Sequence, residues 1–162
     1  MGFGKFTFKR ALTVVAILCS LATPGLAGEC APGEVHLRGD WGQARFSVEV
    51  AATQQDRNTG LMHRDSLPRT AGMLFVYDKP GSRAFWMKNT RIPLDILYLD
   101  ATGTIARVHS MAKPHDETPI FGGHNIQYVL EINGGMAELL GITEGSQLRH
   151  SAIDTSVAAW PC

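Results

Sequence analysis

The chain has 162 residues, with 15 Lys and Arg balanced against 15 Asp and Glu. That length suits one domain around one core. A formal charge of zero gives no electrostatic reason to expect a nucleic-acid partner.

Lys5, Lys9 and Arg10 form a basic head, residues 11–22 an apolar run, and Pro24 with the small residues up to Ala27 an exit. This is the anatomy of a secretory signal peptide over residues 1–27. The run is too short to span a bilayer comfortably, so no stable membrane insertion is expected after cleavage. The acidic Glu29 directly before Cys30 departs from the small residue that lipid attachment requires. An exported protein is expected, periplasmic if the source is Gram-negative and secreted otherwise. Without residues 1–27 the balance becomes 12 basic against 15 acidic residues, a net charge of −3. The division that follows is an N-terminal extension over 28–43, a mainly β domain over 44–152, and a tail over 153–162 that ends in Cys162.

Along the mature chain, short alternating runs dominate. In RFSVEVA, Phe46, Val48 and Val50 point one way and Arg45, Ser47 and Glu49 the other, the period of a half-buried strand. Thr53 followed by Asp56 resembles a capping box, and QQDRNTGLM can continue as about two turns of helix before Pro68. GMLFVY and RAFWMK read as strands separated by a turn at DKPGS, residues 78–82. DILYLD and IARVHSMA follow, with ATG as the turn between them. KPHDETPIFGGHN, residues 113–125, lacks apolar periodicity and reads as a long surface loop. QYVLEI is a further strand, GGMAELLGI a second short helix closed by Gly141, and TEGS a turn. The architecture this predicts is mainly β: a single compact β-sandwich or barrel-like domain with two short covering helices, monomeric.

Cys30 and Cys162 are the cysteines left after the leader. In an exported protein two cysteines usually pair, and no CxxC spacing argues for redox or metal chemistry, so a structural disulfide is expected.

GLMHR, GMLFVY, FWMKNTRIPLDILYLD, YVLEINGG and LGITEGSQL occur in an order that closely resembles the bacterial and archaeal domain-of-unknown-function family 192, over about residues 44–150. The resemblance implies a compact, mostly β domain, frequently exported, of unestablished biochemical activity. The sequence departs from the family pattern at His63, Arg91 and Ser146. Arg91 adds a cation that leans any ligand preference towards anions, and Ser146 suggests a weakened turn.

The residues with the most chemistry are Arg64, Lys88, Asn89, Asp95 and Glu131. Glu131 lies in a strand that otherwise reads as core, and burying its carboxylate calls for a cation or donors nearby. One reading makes the set a pocket beside Arg64, Lys88 and Asn89 for a small polar or anionic ligand, or for the carboxylate of an envelope protein partner. A second makes it a hydrolase or transferase with Asp95 or Glu131 as general base. A third makes it an ion-pair network in a structural envelope domain. No nucleophile elbow or HExxH argues for catalysis, and no cofactor is implied. Met62, Met73, Met87 and Met111, with His63, His109, His115 and His124, have the soft ligands of a copper site but no tight spacing, so no metal is expected. Phe85 and Trp86 are expected in the core.

Overall fold

The structure is a computed structural model, and it describes residues 1–4 and 30–162. The basic head and apolar run of the signal reading, residues 5–27, lie outside the described residues. Seven strands and two short helices follow one another: β1 Glu34–Gly39, β2 Gly42–Ala51, α1 Gln54–Thr59, β3 Ala71–Phe85, β4 Leu94–Leu99, β5 Ile105–Ala112, β6 Ile120–Asn133, α2 Met136–Leu140 and β7 Gln147–Arg149. They form one curled sheet in the order β5-β4-β6-β3-β2-β1-β7. The pairings are antiparallel except β2 with β3, which run parallel because α1 lies in the connection between them. A bridge from Thr104 to Gln147 joins the β7 edge to the start of β5, so the sheet closes at one end like a partial barrel. The expected mainly β, barrel-like domain with two short helices is therefore what the chain forms.

Alternation divides the apolar residues between two cores. On the concave face, Leu37, Phe46, Leu74, Leu97, Leu99, Leu130 and Ile132 pack around the barrel interior, and α2 contributes Met136 and Ala137. On the convex face, Met73, Phe75, Ile96, Tyr98 and Val129 form a second core under the segments that follow α1 and β3. Leu61, Met87 and Ile92 from those segments complete it. A sheet buried on both faces explains why every residue of β4 is buried.

Several expectations are corrected. The sheet begins at Glu34, inside the stretch read as an N-terminal extension, because β1 pairs with both β2 and β7. DKPGS is not a turn between two strands: β3 runs through it in a ribbon with β6, and register shifts between Val76 and Ala84 absorb the Pro and Gly. Half of the expected loop over 113–125 is the matching arm of that ribbon, residues 120–125. Helix α1 covers Gln54–Thr59, three residues short of the end of QQDRNTGLM, because Gly60 takes a φ of 49° beside the Phe75 ring and caps it. Its start is as read, with Thr53 Oγ1 accepting the Asp56 N–H at 3.1 Å. Ser146 is no weak point, since its buried hydroxyl accepts the Trp41 indole N–H at 2.9 Å.

Cys30 and Cys162 are disulfide-bonded across 132 residues. The tail they fix packs on the β1–β7 edge: Trp160 has the guanidinium carbons of Arg38 and Arg149 each 4.5 Å from its ring centroid, and Ile153 reaches the inner core.

Candidate functional site

The registers decide where the candidate residues go. Asp95 stands opposite Ile132, and Glu131 opposite Ile96 on β4 and Met73 on β3. Neighbouring positions on a strand face opposite ways, so the two carboxylates lie on opposite faces of the sheet.

Asp95 points inward with Leu97 and Leu99 and is fully buried. Its Oδ1 accepts the backbone N–H of Met111 at 2.8 Å and of Gly135 at 2.9 Å, and its Oδ2 that of Ala137 at 2.7 Å. Gly135 precedes α2 and has no side chain to cap it, so a carboxylate from a distant strand satisfies the first turn of that helix. Asp95 holds α2 and the bend at Met111, where φ is 56°.

Glu131 points to the convex face and is 4% exposed. Among the described residues no side chain or backbone donor bonds its carboxyl, and no ion pair reaches it. Burial between Met73 and Ile96 raises its pKa from the usual carboxylate range to about 8, so at neutral pH it is mostly a carboxylic acid. Among the described residues the expected cation does not pair with it: Arg57 of α1 stands on the wall of the same cavity but turns its Nη1 to backbone carbonyls. Arg57 Nη1 donates to the carbonyls of Ala52 and Val76, and the guanidinium lies 4.8 Å from the Tyr77 ring centroid.

The Glu131 carboxyl borders a cavity of about 270 Å³. One wall is α1 and the turn after it, through Arg57, Asn58 and Met62. The other is the aromatic row of β3 and its exit: Phe75, Tyr77, Phe85 and Trp86. Phe75 and Phe85 meet edge to face at 4.8 Å, and Phe85 does the same with Tyr98 at 5.9 Å, which fixes the rings. Thr90 also lines the cavity, and its buried hydroxyl donates to the Lys88 carbonyl at 3.3 Å. Burial raises the pKa of Tyr77, leaving it neutral.

Of the five candidate binding residues, Arg64, Lys88, Asn89, Asp95 and Glu131, only Glu131 lines this cavity. Arg64 forms a two-pronged surface pair with Glu49. Lys88 Nζ lies 5.0 Å from the Trp86 ring centroid, and Asn89, at φ 55°, is exposed with its carbonyl accepting the His63 N–H at 2.8 Å. The five residues therefore form neither one open pocket nor one closed ion-pair network. Trp86 corrects the core assignment: it is 46% exposed, because β3 ends at Phe85, while Met87 turns inward to 0%. Met73 and Met87 are core, Met62 is at the cavity and Met111 is exposed, so these sulfurs do not converge. The sequence reading missed Arg57, Phe75 and Tyr77. The alternation of GMLFVY already placed Met73, Phe75 and Tyr77 on one face, but nothing local showed that Glu131 would join it.

The model of DUF192, a family described as uncharacterised, matches residues 35–150. A protein of unknown function from Novosphingobium aromaticivorans DSM 12444 is 38% identical with a TM-score of 0.70, over 72% of this chain and 83% of that one. A Sinorhizobium meliloti 1021 protein, described as a candidate transcription regulator, is 36% identical with a TM-score of 0.72, over 77% of this chain and 99% of that one. No curated protein matches significantly.

Proposed function

The chain belongs to the DUF192 family, and from that premise we propose that it is a small-ligand-binding domain whose site is the cavity floored by Glu131. One observation carries this reading: Glu131 is a buried residue, its carboxyl has no protein donor among the described residues, and it borders a cavity with aromatic walls. Burying such a group costs stability unless something completes it, and this cost, at a concave site, is the mark of a functional position. An anionic preference set by Arg64 loses its support, since Glu49 occupies that guanidinium.

The protein acts after export in this reading, in the periplasm of a Gram-negative source or outside the cell otherwise. The signal anatomy of residues 1–27 and the disulfide support it, because disulfides persist in oxidising compartments. The transcription-regulator description of the Sinorhizobium protein finds no electrostatic support in a chain of zero net charge.

Native mass spectrometry of the disulfide-intact protein tests the site. A small ligand should co-purify with the wild type and be missing from Glu131→Leu, with folding of the variant checked by circular dichroism. The same adduct on both, or none on either, would refute the proposal. A second reading, acid/base catalysis, draws on the pKa of about 8, which leaves Glu131 able to give or take a proton near neutrality. Asp95 drops out of it, because three backbone donors hold its oxygens.

A further inference from the structure

Resting on that reading of the cavity, we infer that its ligand is a small organic ammonium, with the charged head against Glu131 and the carbon body against Phe75, Phe85 and Trp86. Three observations converge on a cation. The floor is a carboxyl whose cross-strand neighbours, Met73 and Ile96, offer it no donor, and Arg57 on the cavity wall turns its Nη1 to the Ala52 and Val76 carbonyls, which leaves the place of a positive partner to a ligand. The walls are aromatic, and ring faces attract cations and repel anions. The same rings already take cations elsewhere: Lys88 lies over Trp86, and Arg57 and Arg83 lie over Tyr77. An anion would meet both the carboxyl and the ring faces unfavourably.

The charged and titratable groups that face Glu131 are few. Arg57 faces it from α1, with its guanidinium held by the Ala52 and Val76 carbonyls over the Tyr77 ring. Arg83 of β3 lies over the Tyr77 ring with its Nη2 donating to the Lys79 carbonyl at 2.9 Å, while Tyr77 of β3 and Tyr98 of β4 share the face of Glu131, and burial keeps both phenols neutral. Glu131 is thus the group whose charge must change when an ammonium enters. The carboxyl gives up its proton to solvent and the ligand takes that proton's place as the positive partner. Binding therefore couples to proton release wherever the free protein holds the acid form.

Titration of the disulfide-intact protein with n-butylammonium, n-butanol and butyrate, followed by NMR at the Trp86 indole N–H and the Glu131 amide, tests this. Butylammonium should shift both resonances, with an affinity that rises about tenfold per pH unit towards about pH 8 and levels off above it. Below that pH one proton per site should appear in unbuffered solution. Glu131→Gln should abolish the pH dependence and cut the affinity at least tenfold, while its melting temperature shows that it folds. The proton count in the wild type needs no variant. If butanol or butyrate binds and butylammonium does not, the ammonium assignment falls and the cavity stands. Should none of the three move these resonances, the ammonium assignment also falls, and the co-purification experiment decides the cavity by itself.

Discussion

Asp95 and Glu131 sit one register position apart on paired strands, both buried, both acidic, and they have opposite fates. The concave face gives Asp95 three backbone N–H groups, and the convex face gives Glu131 none. What differs is the supply of donors. Asp95 meets a helix start and a bend, both short of acceptors, and Glu131 meets the side chains of Met73 and Ile96. A buried carboxylate with its oxygens filled is structural, whereas one left empty beside a cavity is available for binding.

The sharpest break of this contrast is Asp95→Ala. It strands three N–H groups, one buried and two part-buried, and should cost roughly 3 to 5 kcal/mol in urea unfolding. A loss under about 1 kcal/mol would mean that α2 does not depend on Asp95. Next comes the pH dependence set by Glu131. Its folded pKa of about 8 lies above the usual 4.5, so its contribution to stability is fully present below about pH 4.5 and is lost as pH rises to about 8, on the order of 5 kcal/mol. Glu131→Gln should flatten that decline and exceed the wild type in stability above pH 8. Equal slopes for the two proteins would contradict an empty carboxyl.

His150 should produce the opposite, smaller slope. Its Nδ1 accepts the Ala152 N–H at 3.0 Å, its Nε2–H donates to the Pro32 carbonyl at 2.8 Å, and burial lowers its pKa. The stability it contributes is present above its ordinary pKa of 6.5 and is lost as pH falls through the lowered value. His150→Gln should remove this acid limb and leave the Glu131 slope intact, as thermal melts at several pH values can check. The smallest effect belongs to Lys88→Met. Its ammonium meets the exposed Trp86 ring and no carboxylate among the described residues, so the change should cost less than about 1 kcal/mol. A larger loss would show that a buried carboxylate depends on Lys88 after all.

Much of the fold was legible because its signals are local. Alternation in RFSVEVA and DILYLD, Thr53 and Asp56 at the start of α1, and Gly141 at the end of α2 act within a few residues. The disulfide followed from the cysteine count and the expectation of export. The ribbon of β3 and β6 was not legible, because Pro80 and Gly81 carry turn chemistry that only a distant bulged partner overrides. Of the five candidate residues, only Glu131 reaches the cavity. Strand membership can be read from the period of a segment, but whether Asp95 and Glu131 share a face depends on the pairing of β4 with β6, which local sequence leaves open. Arg64 likewise finds Glu49 fifteen residues earlier only through the fold.

The bond between Cys30 and Cys162 encloses all seven strands, so the domain is covalently a ring rather than a thread. Force applied through these two residues loads the sulfur–sulfur bond and leaves the strand ladder slack. Oxidised, the domain should resist being drawn out end to end, and it should tolerate new ends cut into the exposed stretch over 115–119, since the ring would still hold its first and last strands together.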